Sequence, residues 1–364
     1  MPARGCPGGS SFHEAAALTR GAGAGAIVAL DERGTACQCE AMARMVEIDE
    51  AARLLRAGEV VALPTETVYG LAADAENPDA VARIFAAKGR PRSHPLIVHL
   101  PSVAALDEGW AAELPPVARR LAGVLWPGPL TLIVRRGPRA LDAVTGGLAT
   151  VGLRVPAHPT MRAVLTRFGG AVAAPSANRF GAVSPTSAAH VMADLGARIA
   201  AIVDGGPCEL GIESTIVDAS SGTARILRPG AVTREALEAI AGAPMPTAGE
   251  DAPRAPGALP SHYAPRARVH TADASDAAAR AVELADAGAS VVLLAPSSVA
   301  ADHERVSHID VPEDPQDRAR SLYASLRAVD AGGFDHAVVV LPEETGLGVA
   351  IADRLRKAAG PRSD

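Results

Sequence analysis

No two cysteines in this chain stand in a C-x-x-C spacing. The four that exist, Cys6, Cys37, Cys39 and Cys208, read as a reduced, cytoplasmic set, which argues against a zinc site or a disulfide framework. Aromatic residues are also scarce, 3% of 364 positions, and the pI is near 5.9. Few stacking platforms and no general basic excess argue against a nucleic-acid-coating surface. No apolar run approaches the roughly 20 residues of a membrane helix, and no membrane association is expected. There is no G-x-x-x-x-G-K-[ST] loop, and the lone Gly346-x-Gly348 is a weak signal that fits a simple turn. Neither a Ser-His-Asp set nor paired catalytic carboxylates can be placed.

What remains is a globular α/β protein. Hydrophobic content of 48% with 21% charged residues suits buried cores, and the length favours two domains. Residues 1–44 are Gly/Ala-rich, including GAGAGA, lack a signal-peptide pattern, and read as a disordered extension. Helical periodicity begins near Met45 with Ile48, Ala51, Ala52 and Leu55. The Pro/Ala/Gly-rich stretch within 241–265 reads as a linker, leaving domains at 45–240 and 266–364. In the first, strands are expected at 59–63, 96–100, 130–134, 150–155, 170–174, 200–203, 214–217 and 224–227. Asn77-Pro78 opens a helix that Gly89 closes. The second alternates strand and helix: strands at 268–271, 291–295 and 337–341, helices near 276–287, 316–329 and 348–359. That order suggests a small parallel sheet.

Against a net charge of −6, the stretch AAKGRPRSHPLIVHL (86–100) gathers Lys88, Arg90, Arg92, His94 and His99 with no acid among them. Only two of the 35 basic residues are lysine, Lys88 and Lys357. A lysine kept in an arginine-rich composition is a candidate point charge for phosphate, with Arg90 as a forked partner. The competing reading is a solvated helix end, where cations also favour the dipole. A lone histidine such as His99 on an apolar strand is more often a satisfied core residue than a ligand. PTETVYGL (64–71) sets three hydrogen-bonding side chains after an apolar strand, either a site at a strand end or a hydroxyl-stabilised turn. In TVGLRVP (150–156), Thr150, Gly152 and Arg154 share one strand face, and that arginine suits a carboxylate. APSANRFGAVSPTS (174–187) supplies Ser176, Asn178, Ser184 and Thr186 for ribose and phosphate oxygens. ESTIVD (213–218) and ILRPG (226–230) put Ser214 and Arg228 at strand positions.

Taken in order, PTETVYGL, KGRPRSHPLIVH, GLRVP, APSAN with SPT, ESTIVD and ILRPG resemble the YrdC-like family of threonylcarbamoyl-AMP synthases. SHYAP (261–265) and residues 317–340 resemble the linker and the Rossmann-like C-terminal domain of its two-domain form. The resemblance covers about 45–359, departing at His94, where the family often has Asn, and in the linker, which reads APGALPSHYAP rather than a more basic variant. It implies a twisted mixed sheet around a concave positive cavity, plus the smaller parallel-sheet domain. The implied reaction condenses L-threonine, bicarbonate and ATP, with Mg²⁺ on the phosphates, to threonylcarbamoyl-AMP and pyrophosphate. The product would pass to a downstream complex that modifies position 37 of tRNAs reading ANN codons, with weak or no direct tRNA binding. By the same resemblance Thr67, His99, Arg154, Ser176 and Ser214 would hold threonine. Lys88, Arg90, His94, Thr150, Asn178, Ser184, Thr186, Arg228 and Tyr263 would meet ATP, with Lys88, Arg90 and Arg228 stabilising the reacting phosphates. Tyr263 is either a hinge anchor or a lid. A carbamoyl-phosphate-using enzyme would want zinc-finger modules that the cysteine spacing does not support, and a non-enzymatic RNA-binding module conflicts with the acidic pI.

Overall fold

The computed structural model describes residues 27–30, 36–39, 42–221, 223–247, 249, 257 and 262–361. The reading of 1–44 as a disordered extension therefore falls mostly outside the described residues. Within it, β1 (Ile27–Leu30) and β2 (Ala36–Cys39) pair as an antiparallel hairpin in a unit of its own. Most of the expected linker, 248–261, likewise falls outside them apart from residues 249 and 257.

The second unit, from Met42 onward, holds two sheets. The first is built from β3 (Arg44–Met45), β4 (Val61–Leu63), β5 (Gly70–Asp74), β6 (Ile97–His99), β7 (Leu130–Arg135), β8 (Thr150–Arg154), β9 (Val172–Ala173), β10 (Ala201–Ile202), β11 (Thr215–Asp218) and β12 (Arg225–Arg228). Their spatial order is β12-β11-β7-β8-β6-β9-β5-β4-β10-β3, with parallel and antiparallel pairs mixed. Around it pack α1 (Ile48–Arg56), α2 (Pro78–Lys88), α3 (Pro116–Leu125), α4 (Asp142–Thr145), α5 (Pro159–Phe168), α6 (Ala188–Leu195) and α7 (Arg234–Ala241). The second sheet is wholly parallel, in order β13-β16-β14-β15: β13 (Arg268–Ala272), β14 (Val291–Ala295), β15 (Val306–Asp310) and β16 (His336–Val340). It is covered by α8 (Ala274–Asp286), α9 (Pro315–Gly332) and α10 (Leu347–Ala358). The architecture is thus the expected mixed sheet with a separate small parallel sheet.

Local chemistry explains the elements that matter for the site. Asn77 caps α2 by accepting the N–H groups of Asp79 and Ala80, Pro78 occupies the first turn, and Gly89 ends the helix at φ 65°. Lys88 is therefore fixed in the last turn. The segment after β4 was expected only as a turn or site; it also starts β5, which folds back antiparallel on β4 because Gly70, Leu71, Ala72 and Ala73 are small or apolar and buried. In the centre, Gly152 faces Ile97 and Ile133, and a Cβ there would come within 3.1 Å of Ile133. Its missing side chain lets Ile97 and Ile133 pack over the strand two residues before Arg154.

Candidate active site

The carboxyl ends of two adjacent parallel strands start the site. β6 ends at His99 and β8 at Arg154, which are register partners, so both side chains reach the same rim. The Arg154 guanidinium is held in place by two hydrogen bonds: Nε donates to the Gly128 carbonyl at 3.2 Å and Nη1 to Thr67 Oγ1 at 3.0 Å. Nη2 lies 2.6 Å from Glu66 Oε1, an ion pair without the angle of a hydrogen bond. Thr67 is set by the turn after β4. Its hydroxyl lies 2.8 Å from Thr65 Oγ1, which accepts the N–H groups of Thr67 and Val68 and donates to the Val68 carbonyl. The hydroxyl-stabilised turn and the site are one and the same. Burial, helped by the Arg154 charge, pushes His99 well below the usual imidazole range, so it is neutral, and its Nδ1 has no partner. A neutral acceptor or donor, an arginine and a hydroxyl on one rim suit a zwitterionic amino acid.

Arg90, Ser214 and Arg228 line the same cavity. Arg90 Nη2 donates to the Pro95 carbonyl at 3.0 Å, its guanidinium lies 5.6 Å from the Phe180 ring centre, and burial lowers its pKa to about 10, leaving it charged at neutral pH. Arg228 Nη2 donates to the Ser214 carbonyl at 2.8 Å and lies 3.3 Å from Ser214 Oγ. Beside it, burial would raise the pKa of Glu213, but the charges of Arg354 and Arg228 and a bond from Tyr323 offset this and hold it at about 2.

Over the cavity lie residues of the linker. Gly257, His262 and Tyr263 join Thr65, Thr67, Arg90, His99, Arg154, Ser176, Ser214 and Arg228 in its lining, and the space left is about 60 Å³. Ligand sites for drug-sized molecules run to roughly 300–1,000 Å³, so with these linker residues in its lining the cavity is far smaller than such a site. Tyr263 is 1% exposed and adopts φ 62°, a left-handed conformation that costs a side-chain-bearing residue of order 1–3 kcal/mol. Something must hold it there.

Eight of the expected site residues therefore line one cavity: Thr67, His99, Arg154, Ser176, Ser214, Arg90, Arg228 and Tyr263. Six do not. Lys88 is behind the wall, its ammonium donating to the carbonyls of Ser176 and, at 2.5 Å, Asn178. Burial and then the Arg90 charge push its pKa well down. Asn178 turns its amide onto the Arg179 and Ala182 carbonyls, and His94 packs edge-on to Phe180. Ser184 donates to Glu213 at 2.7 Å, and Thr186 hydroxyl faces His190. Thr150 begins the strand that Arg154 ends, four residues away. Sequence reasoning passed over Glu66 and Glu213 although both sit in quoted motifs, because an acid suits an anion site only once its arginine partner is known. Nothing in the pattern signalled Arg354.

Comparison with known proteins fits this geometry. Residues 53–230 match a family described as telomere recombination, and residues 232–360 match the threonylcarbamoyl-AMP synthase C-terminal domain. The threonylcarbamoyl-AMP synthase of Bacillus subtilis is 41% identical over 87% of this chain and 94% of its own length. That of Pyrococcus abyssi is 40% identical over 86% and 94%. A crystal structure of Pyrococcus abyssi Sua5 complexed with L-threonine superposes with a TM-score of 0.80, at 38% identity, over 86% of this chain and 94% of that one. On this cavity, these two sheets and these relatives, the chain belongs to the threonylcarbamoyl-AMP synthase family in its two-domain form.

Proposed function

We propose that this protein condenses L-threonine, bicarbonate and ATP into threonylcarbamoyl-AMP, as a nucleotidyltransferase acting in the cytoplasm. The observation that carries the reading is the convergence of Arg154, Thr67 and His99 with Arg90 and Arg228, all buried, in the lining of one cavity. Arg154 holds the threonine carboxylate, and Thr67, Ser176 and Ser214 meet its remaining polar groups. The amine nitrogen bonds to the bicarbonate carbon with loss of water, giving a carbamate. A carbamate oxygen then attacks the α-phosphorus and the bond to the pyrophosphate breaks. Arg90 and Arg228 offset the charge gathering on the phosphates, and catalysis is mainly positioning and electrostatics. Lys88 acts from behind, bracing the loop that carries Ser176.

Mg²⁺ fits as part of the nucleotide. Glu213 on the wall and Glu66 behind it are each taken by an arginine, and no group of three or more His, Cys, Asp or Glu side chains converges among the described residues. The ion would therefore ride on phosphate oxygens and water, where it neutralises phosphate charge. The covered cavity supports a lid role for Tyr263, keeping water from a labile mixed anhydride. His94, Thr150, Asn178, Ser184 and Thr186 would reach the nucleotide once the linker lifts. The product is passed to an enzyme complex that modifies tRNA, with weak or no tRNA binding by this chain. No helix among the described residues is long and apolar enough to cross a membrane.

The test is to incubate the protein with ATP, Mg²⁺, bicarbonate and labelled L-threonine, and follow the adenylate by mass spectrometry beside pyrophosphate release. A threonine- and bicarbonate-dependent adenylate, lost on Arg154→Ala in folded protein, is expected. Absence of that product, or equal turnover with carbamoyl phosphate, would overturn the assignment.

A further inference from the structure

The strained Tyr263 is held by side chains of the second sheet's helices. Its ring stacks on Tyr323 of α9 at 5.6 Å and 28°, and the Arg354 guanidinium of α10 lies 5.2 Å from its centre. Both partners converge on Glu213. Tyr323 hydroxyl lies 2.7 and 2.9 Å from the two carboxylate oxygens, and Arg354 Nε donates to Oε2 at 2.7 Å. Arg354 is 0% exposed and also donates through Nη2 to the Pro229 carbonyl at 3.0 Å, the residue after Arg228. The backbone on either side of Tyr263 is stitched to both halves: His262 N–H to the Lys357 carbonyl at 3.2 Å, and Ala264 N–H to the Gly181 carbonyl at 3.2 Å.

The rest of the α9 face keeps this arrangement in register. Arg320 donates to the Glu209 carbonyl at 2.9 Å, and Arg327 binds Asp194 at 2.7 Å and the Val183 carbonyl at 2.5 Å. With Tyr323 these lie three and four positions apart, one stripe of the helix. Gly211, at φ 74°, permits the approach, since a Cβ there would lie 2.4 Å from the Arg320 Cα. A buried arginine–carboxylate pair adds little stability over an apolar pair, but it fixes geometry when every donor is used. Here the geometry it fixes is the cover of the cavity.

We infer that Arg354 and Tyr323 are positioning residues for the reaction, acting through Glu213 to hold Tyr263 over the substrate cavity. The second sheet thereby sets how often the site opens. This rests on the reading of the cavity as the threonine and nucleotide site. Neither residue touches substrate, and their loss acts on the cover before it acts on the chemistry.

The experiment is hydrogen exchange on the full-length protein, wild type against Tyr323→Phe, Arg354→Gln and Arg354→Lys, run beside the adenylate assay. Tyr323→Phe keeps the ring and removes only the bonds to Glu213, so it guards against a variant that fails to fold. The amides of His262 and Ala264 are expected to exchange about tenfold faster or more, the size of a lost bond to a charged group. The amides of Val291–Ala295 in β14 should be unchanged. Arg354→Lys should recover part of the protection, and in turnover more pyrophosphate should be released per adenylate recovered. Unchanged exchange at 262–264, or an equal rise in β14, would overturn the inference and leave the network as a brace of the fold. Exchange needs no turnover, so a wild-type protein without adenylate activity would sink the functional reading separately.

Discussion

Arg154 and Glu66 face each other at 2.6 Å, both buried, at the end of β8 and in the turn after β4. Burial would raise the Glu66 pKa, but the Arg154 charge, the close approach of its guanidinium and backbone N–H groups together outweigh it and hold the carboxyl below the usual range. An arginine offered to a substrate carboxylate would otherwise be a lone charge in a dry wall, and Glu66 supplies its counter-ion from behind.

Glu66→Gln should therefore weaken threonine binding by about 10–100-fold, the range of a lost charged partner, while leaving nucleotide binding close to wild type. Titration calorimetry with L-threonine and separately with a non-hydrolysable ATP analogue would read the split. Equal losses for both ligands would count against a local role.

Arg90→Ala and Arg228→Ala should each lower turnover by about 100-fold or more, as for removal of one donor from a charged transition state, with threonine affinity retained. Lys88→Met should behave differently. Its carbonyl partners Ser176 and Asn178 lose their donor, so the melting temperature should fall with the activity. A Lys88→Met protein of wild-type stability and no activity would point to direct phosphate contact instead.

Gly257 offers a test of the cover alone. At φ 77°, a Cβ there would lie 2.6 Å from the Tyr263 hydroxyl and 3.1 Å from Arg228 Nη1. Gly257→Val should keep the linker off the cavity, with a melting temperature near wild type and a severalfold rise in pyrophosphate released per adenylate recovered. Coupled, wild-type turnover in that variant would mean the closed cover is dispensable.

Glu213 gives the acid limb of stability. Its folded pKa of about 2 lies below the ordinary 4.5, so its stabilisation is complete above pH 4.5 and disappears as pH falls toward 2. Glu213→Gln should be less stable than wild type at pH 6, and the difference should close on acidification through that window. Thermal melts across pH 6 to 2.5 would show it; a constant gap would mean the ionised carboxylate contributes nothing.

Much of this was legible in the chain because turn and strand-end chemistry is local. The asparagine–proline start and glycine stop of α2, and the period-two face of β8, need no distant partner. Thr150 shows the limit of that reasoning: alternation gives the face but not the depth, and of that face only Arg154, at the end of the strand, lines the cavity as it stands. β15 escaped notice because it is an edge strand whose residues are exposed or half-buried, leaving no apolar pattern. α3 and α5 also start at prolines, Pro116 and Pro159, but without the asparagine cap that marks α2. Arg354 could not be found at all, since a charge on an amphipathic helix reads as solvated until a carboxylate 141 positions away in the chain is brought against it.

The second apolar core is not the second sheet's alone. Val68, Val183 and Ile212, from loops of the first sheet, pack in one cluster with Tyr263, Val269, Leu322 and Tyr323. Val68 also lines the cavity beside Arg154. Heat that loosens α9 thus removes a back wall of the site, and the two sheets should lose heat-capacity structure together, in one calorimetric peak, with catalysis failing at the same temperature as the fold.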